Sequence, residues 1–186
     1  FIYALMGVAI GLSSSFFTKL HFLIEKKFEN FIADQRIRPL IGGVLLGLIA
    51  FIPFGIGIDV LGNGHETIRK AFSHEYTLWI VLAILLIKPI ATSITLSSGW
   101  PGGIFAPAIF LGSLCGYLFG FGVETIFYSD FINPGDLSIS YAIVGMGTFL
   151  AAMTQAPLTS IFFTFELTET YQAVLPIMVS SVIGTS

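Results

Sequence analysis

Charge-free apolar runs divide the chain into segments long enough to cross a lipid bilayer. The runs without Asp, Glu, Lys or Arg cover residues 1–18, 39–58, 89–123, 137–165 and 170–186. A helix needs about 20 apolar residues to cross the hydrocarbon core of a bilayer. The pattern therefore predicts an all-α, polytopic integral membrane protein with about six to seven membrane segments.

Proline and polar positions set the expected ends of these helices. Residues 1–27 predict one long helix that continues past the edge of the bilayer. Pro39 is expected to begin the second helix, because a missing N–H costs nothing in a first turn. That second helix is expected to end near residues 55–57. Further helices are predicted over 77–97, over 103–122 and from the QAPLT sequence through residue 165.

The few charged residues predict which side each loop faces. Lys19, Lys26, Lys27, Arg36 and Arg38 lie close together after the first apolar run. Cytoplasmic loops of membrane proteins are enriched in Lys and Arg, so this loop is expected to face the cytoplasm.

The segment 124–136 contains Glu124, Asp130 and Asp136 but no Lys or Arg, so it is expected to lie outside. We expect the cell membrane as the location.

Composition excludes several classes of protein. Only 10% of residues are charged, whereas a soluble domain has about 25%. The net charge is −3, and the sequence has no basic stripe that would bind nucleic acid. Cys115 is the one cysteine, so the chain forms no internal disulfide. The chain begins with Phe1 rather than Met, and we expect it to be a segment of a longer protein.

The LSSGWPGG sequence at residues 96–103 interrupts two apolar helices without adding a charge. An unpaired backbone group in hydrocarbon costs several kcal/mol, so irregular backbone at membrane depth needs a protein or water-filled surrounding. The break therefore indicates a helix that begins inside the membrane. By composition alone, the same break is also compatible with a kink or a packing device.

A helix that begins there would offer a binding site for a small anion. The first N–H groups of a helix lack partners, and its N-terminus carries about half a positive charge. Gly102 and Gly103 would let a ligand approach the backbone, and the candidate donors are the N–H groups of Ile104, Phe105 and Ala106. Pro107 has no N–H and fits the opening turn, and it completes the six residues assigned to this site and its supporting turn.

Two long motifs resemble the CLC family of chloride channels and proton-coupled chloride transporters. Residues 102–120, GGIFAPAIFLGSLCGYLFG, resemble the GxFxP region of the family. Residues 141–178 resemble its later stretch, in which APLT is followed by ELT and a YxxxLP-like end. The GNGHETI turn fits more loosely.

The resemblance implies a homodimer whose subunits each contain two inverted helical repeats. Residues 1–186 look like the C-terminal half of the transmembrane domain, without the first repeat and the last helix. The family's anion-contacting serine and its gating glutamate belong to that first repeat. The resemblance also implies that the amides of Ile104 and Phe105 bind the central anion, that Ala106 lies near an outer site, and that Val174 and Ile177 lie at the dimer interface.

The implied function is chloride transport across the lipid bilayer, with chloride/proton exchange as the preferred interpretation. A passive, voltage-gated type of chloride channel is the alternative within the family. A structural membrane segment that binds no ion is the alternative from another class. No enzymatic activity, cofactor, metal or nucleic-acid partner is expected.

Charged residues near the apolar runs have weaker functional interpretations. Lys88 would raise the local potential for anions, or it would instead extend to the interface or pair with a carbonyl. Glu166 and Glu169 flank the polar turn ELTETYQ and are expected to be surface charges rather than proton carriers.

Histidines and serines complete the set of candidates. His21, His65 and His74 lack metal-ligand spacing and are expected at the surface. Asn63 and His65 belong to a glycine-rich turn that we interpret as structural. A serine-protease role for the serines at 97–98 would need a histidine to accept the hydroxyl proton, and no apolar run supplies one.

Overall fold

A computed structural model describes residues 1–32, 34–52, 56–62, 64–73, 75–127 and 136–185. Within these ranges the chain forms α-helices and one 3₁₀ turn, with no β-strand. The predicted all-α class is confirmed.

The helices are α1 (Ile2–Phe31), α2 (Arg38–Ala50), α3 (Ile56–Leu61), α4 (His65–Phe72), α5 (Leu78–Ser97), α6 (Phe105–Phe127), α7 (Asp136–Thr154), α8 (Pro157–Thr168) and α9 (Val174–Gly184). The 3₁₀ turn, Tyr171–Ala173, leads directly into α9. The predicted helix starts agree closely with these bounds, including the first turn of α2 at Pro39 and the restart of α8 at Pro157.

The end of α2 was predicted wrongly. The helix stops at Ala50, whereas the apolar run predicted an end near residues 55–57. Ile52 precedes a proline in the sequence, and a residue before proline is disfavoured in the α conformation. Hydrophobicity alone could not show this stop, because the apolar run continues through it.

Four helices in the described part of the chain are long and apolar enough to span a membrane. They cover Ile2–Phe31, Leu78–Ser97, Phe105–Ile126 and Leu137–Thr154. The described residues also contain two shorter apolar segments, Arg38–Ala50 and Tyr171–Gly184, and the six to seven expected membrane segments include such shorter ones. The 13 residues of α2 rise only about 20 Å, less than the roughly 30 Å of hydrocarbon. The chain is a multi-pass integral membrane protein.

Close contact between α6 and α7 forms the centre of the fold. A Cβ atom on Gly112 would lie 2.5 Å from the carbonyl oxygen of Gly145, so the two backbones meet without side chains between them. Small residues at helix interfaces allow this approach in membranes. The fully buried side chains of Phe110, Leu114 and Phe149 fill the space around this contact. The packing fixes the direction of α6 and so the position of its N-terminus.

Candidate functional site

The chain reverses between α5 and α6, and contacts with α2 hold the turn in place. The indole Nε1 of Trp100 donates a hydrogen bond to the carbonyl oxygen of Pro39 at 3.1 Å. Ser98 is fully buried and packs so closely on Gly42 that a Cβ on that glycine would overlap its side chain. Gly99 adopts φ +84°, the left-handed region in which glycine is favoured.

The start of α6 lies beside the last turns of α5, not beyond its end. A Cβ on Gly102 would lie 3.2 Å from Cδ2 of Leu96, and nothing lies within 4 Å of a Cβ on Gly103. Since α5 is a membrane-length helix, the first residues of α6 lie within the depth that α5 spans. The open space beside Gly103 leaves room for a ligand to approach the backbone.

Three N–H groups at this helix start precede the first hydrogen bond of the helix. That bond runs from the N–H of Ala108 to the carbonyl oxygen of Ile104 at 3.0 Å. Among the described residues, no main-chain acceptor pairs with the N–H groups of Ile104, Phe105 and Ala106. Ile104 is 39% exposed and Phe105 is 53% exposed. Among the described residues, the three predicted donors therefore have no main-chain partner, and they belong to exposed residues.

A cavity of about 220 Å³ lies against this helix start. Its walls are the C-terminal end of α3, one face of α5 and the first turn of α6. Thr92 and Thr95 line it from α5, and Gly102, Ala106 and Pro107 line it from the α6 side. One water molecule occupies about 30 Å³ in the liquid, so the cavity has room for a small hydrated anion.

Lys88 lies in the wall of the same cavity and is only 4% exposed. Its Nζ donates hydrogen bonds to the carbonyl oxygens of Val60, at 2.6 Å, and of Gly62. The ammonium also lies 5.0 Å from the ring centroid of Phe110. Pairing with a carbonyl, one of the interpretations left open by the sequence, is confirmed, and extension to the interface is wrong.

A polar cluster on α3 and α4 was missed by sequence reasoning. Lys70 Nζ lies 3.4 Å from one carboxylate oxygen of Asp59, and the hydroxyl of Tyr76 donates a hydrogen bond to the other. Burial, and after it the hydrogen bond with Asp59, raises the pKa of the Tyr76 hydroxyl above its usual value. The sequence contained one signal of this cluster, which is that Asp59 is the only charged residue between Arg38 and Glu66.

The acidic residues near the end of α8 lie where the sequence predicted. Glu166 and Glu169 are both exposed, and Glu169 follows the last residue of α8 with φ 51°. Neither carboxylate lies in the cavity beside α6. Their interpretation as surface charges agrees with these positions.

The histidines differ from one another in their surroundings. His65 is exposed, as predicted, and begins α4. His21 is only partly exposed, and its Nδ1 atom is buried without a partner among the described residues. The other two positions of interest, Asn63 and His74, lie outside the described residues. The described ranges contain no group of His, Cys, Asp and Glu side chains that could hold a metal ion.

The last helices carry an exposed apolar surface, but Ile177 does not belong to it. Ile177 is 1% exposed, and its Cγ2 would lie 2.7 Å from a Cβ on Gly147 of α7. Its assignment to an intersubunit contact was wrong, because the side chain fills the core of its own chain. Val174 is partly buried. The exposed residues of this surface, called here the α8–α9 face, are Leu158, Phe162, Leu175, Val179 and Val182.

Comparison with known sequences identifies relatives over the whole chain. Residues 1–186 match the family described as "Voltage gated chloride channel". The "H(+)/Cl(-) exchange transporter ClcA" of Yersinia pestis is 34% identical over 180 residues, which cover 96% of this chain and 37% of the relative. The transporter of the same name from Vibrio campbellii is 32% identical over 185 residues, which cover 97% of this chain and 38% of the relative.

Solved structures share the fold at lower sequence identity. The crystal structure of a CLC-type fluoride/proton antiporter matches with a TM-score of 0.79 at 18% identity, covering 98% of this chain and 42% of that chain. The crystal structure of a eukaryotic CLC transporter matches with a TM-score of 0.67 at 21% identity, covering 99% of this chain and 31% of that chain. The chain thus spans less than half the length of the curated relatives and structures described here.

Proposed function

The chain belongs to the voltage gated chloride channel family, and on that premise we propose that it supplies one side of a chloride pathway. In this proposal the N–H groups of Ile104 and Phe105 bind a central chloride ion, and Ala106 contributes toward a second, outer position. Gly102 and Gly103 leave the approach to these groups open, while Pro107 occupies the first turn without competing for the ion. Of the three proposed donors, only Ala106 lines the cavity, while Ile104 and Phe105 belong to the same exposed helix start. The absence of a main-chain acceptor for these N–H groups among the described residues carries the proposal.

Main-chain amides suit an ion that must bind and then leave. The N-terminus of a helix attracts an anion through its N–H groups and its partial charge of about half an electron. Conduction requires binding that is favourable but weak enough for release. Lys88, the cationic side chain that lines the cavity, already pairs with two carbonyl oxygens, so it does not hold the ion as a free cation would.

The exposed start of α6 indicates that other parts of a longer protein complete the site. Ile104 and Phe105 together present a surface that the described residues leave open. We propose that residues 1–186 form the second of two inverted repeats and that the first repeat supplies the facing wall. The site needs no cofactor in this scheme, because the donors are main-chain groups.

A homodimer is part of the proposal. The α8–α9 face is apolar and exposed, and it lies on the segments that the resemblance assigns to subunit contact. Leu175 and its neighbours on this face take the role first assigned to Ile177, while Val174 stays a candidate at its edge.

The names of two relatives favour proton-coupled exchange over a passive channel. The relatives from Yersinia pestis and Vibrio campbellii are named as H(+)/Cl(-) exchange transporters. The test uses the full-length protein that contains this chain, reconstituted into liposomes with a chloride gradient and a pH indicator. Exchange predicts that the chloride gradient drives protons uphill. Chloride flux without proton movement would favour the passive channel, and no flux would favour a structural role.

A further inference from the structure

Lys88 connects three separate parts of the site. It lies near the middle of α5, and its ammonium contacts the end of α3 and the Phe110 ring on α6. We propose that Lys88 is a positioning residue that fixes the α3–α4 hairpin, residues 56–62 and 64–72, as the wall opposite the start of α6. This inference rests on the proposed function, because it concerns the shape of the same chloride cavity.

The hydrogen bonds of Lys88 are well matched to the end of a short helix. The carbonyl groups of a helix's last turn lack partners and carry partial negative charge. Val60 lies in the last turn of α3 and Gly62 follows it, and both of their carbonyl oxygens accept from Nζ of Lys88. An ammonium has three N–H donors, so two of them are committed to this helix end. A charge at this depth of a spanning helix needs such partners.

The Phe110 ring extends the connection to the beginning of α4. Gly64, which precedes α4, has φ +89° and packs so closely on this ring that a Cβ there would overlap it. The same ring lies 5.0 Å from Nζ of Lys88. The ammonium therefore contacts the end of α3 directly and the start of α4 through one aromatic ring. Both ends of the hairpin turn are therefore connected to Lys88, one directly and the other through Phe110.

Two other attachments of the hairpin involve residues that do not line the cavity. Gly57 packs against the carbonyl oxygens of Ile49 and Ala50 at the end of α2. Asp59 pairs with Lys70 and Tyr76, and none of these three side chains lines the cavity. Among the described residues, Lys88 thus supplies the side-chain hydrogen bonds that join this wall to α5.

The position of the hairpin matters for transport because the end of α3 lines the cavity. Val60, Leu61 and Gly62 line the same cavity as Gly102 and Ala106. If the bonds from Lys88 are lost, two carbonyl groups lose their donors and the end of α3 is free to move. The width of the cavity beside the α6 amides would then no longer be fixed.

The test compares Lys88→Met with Lys88→Arg in the full-length protein by hydrogen exchange and mass spectrometry. Met keeps the length of the side chain but has no donors, whereas Arg keeps donors and charge. We expect amide exchange in the peptide containing residues 56–62 to accelerate at least about tenfold in Lys88→Met. Lys88→Arg should return the rate to within about twofold of the original.

Thr95→Val is the matched control on the same helix. Thr95 also lines the cavity, but its hydroxyl donates only to Ala91 of its own helix. This variant should leave exchange in the hairpin unchanged. Exchange is measured in chloride-free buffer, so the result does not depend on whether the α6 amides bind chloride. Bromide binding at α6 is measured separately, which distinguishes a failure of the proposed function from a failure of this inference.

Two results would overturn the positioning role. One is a Lys88→Met protein with lower chloride affinity but unchanged hairpin exchange, which would mean that Lys88 acts on the ion itself. The other result comes from a second experiment on the unmodified protein, which serves if Lys88→Met does not fold. Acetylation of Lys88 by an amine-reactive ester should be at least about tenfold slower than that of the partly exposed Lys70. Equal rates would show that the ammonium is not held in the wall.

Discussion

Removing a single main-chain donor from the start of α6 should weaken chloride binding while the helix stays intact. Phe105 is the first residue of α6, and its N–H has no main-chain acceptor among the described residues. Proline is well tolerated at the first position of a helix, because the N–H that it lacks is unpaired there. Phe105→Pro therefore removes one proposed ligand of the ion without breaking a bond of the helix.

The expected size of the effect follows from the kind of hydrogen bond that is lost. A hydrogen bond to a charged partner contributes about 1.5–3 kcal/mol. One such bond corresponds to a loss of at least about tenfold in affinity, since 1.4 kcal/mol is a factor of ten. The side chain of Phe105 is more than half exposed in this chain, so its loss alters little packing among the described residues.

The assay is calorimetric titration of chloride into the full-length protein, with Phe105→Ala as the matched control. Alanine removes the same ring but keeps the N–H, so any difference between the two variants reports the donor. We expect Phe105→Ala to stay within about threefold of the original affinity and Phe105→Pro to fall by about tenfold or more. Equal affinities in the two variants, with the protein folded, would refute the assignment of this amide.

Three further predictions concern stability and assembly. Gly112→Ala should destabilise the α6–α7 contact by about 1–3 kcal/mol in thermal unfolding, because its Cβ would meet the Gly145 carbonyl at 2.5 Å. Gly122→Ala on the same helix has open space and should be nearly neutral, and equal costs would contradict the packing argument. Asp59→Ala should lower the free energy of unfolding by about 1 kcal/mol, because the hydrogen bond from Tyr76 is lost. An unchanged melting temperature would exclude this contribution. Leu175→Trp on the α8–α9 face should weaken dimerisation in cross-linking, and a fully retained dimer would count against that face.

Periodicity and proline positions were sufficient to predict most helices, because a membrane requires long apolar segments whose backbone is paired internally. The starts of α2 and α8 followed from Pro39 and Pro157. The end of α2 did not follow, since the apolar run is continuous and only the local backbone preference before a proline stops the helix there.

The helix start at α6 could be predicted from the sequence, because the glycines and prolines before it end one apolar helix and begin another. That its N–H groups bind an anion stays a prediction. Side-chain partners across the fold could not be predicted in the same way. Lys88 pairs with carbonyl groups more than 20 residues earlier in the chain, and Asp59 pairs with Tyr76 across an intervening helix. These contacts depend on how α3, α4 and α5 pack.

The buried side of α9 was not predicted from the sequence. An apolar helix in a membrane protein has no polar face to mark its buried side, so the sequence could not separate Ile177 from Leu175. The packing of Ile177 on Gly147 separates them, because a glycine on α7 leaves space for one particular side chain.

The central claim is that unpaired amides at the start of α6 hold the transported anion. The most direct test is anomalous diffraction from crystals of the full-length protein soaked in bromide, which replaces chloride and scatters anomalously. We predict a peak within hydrogen-bonding distance of the N–H groups of Ile104 and Phe105. Bromide peaks elsewhere in the same crystals, with no density beside these two residues, would contradict the account.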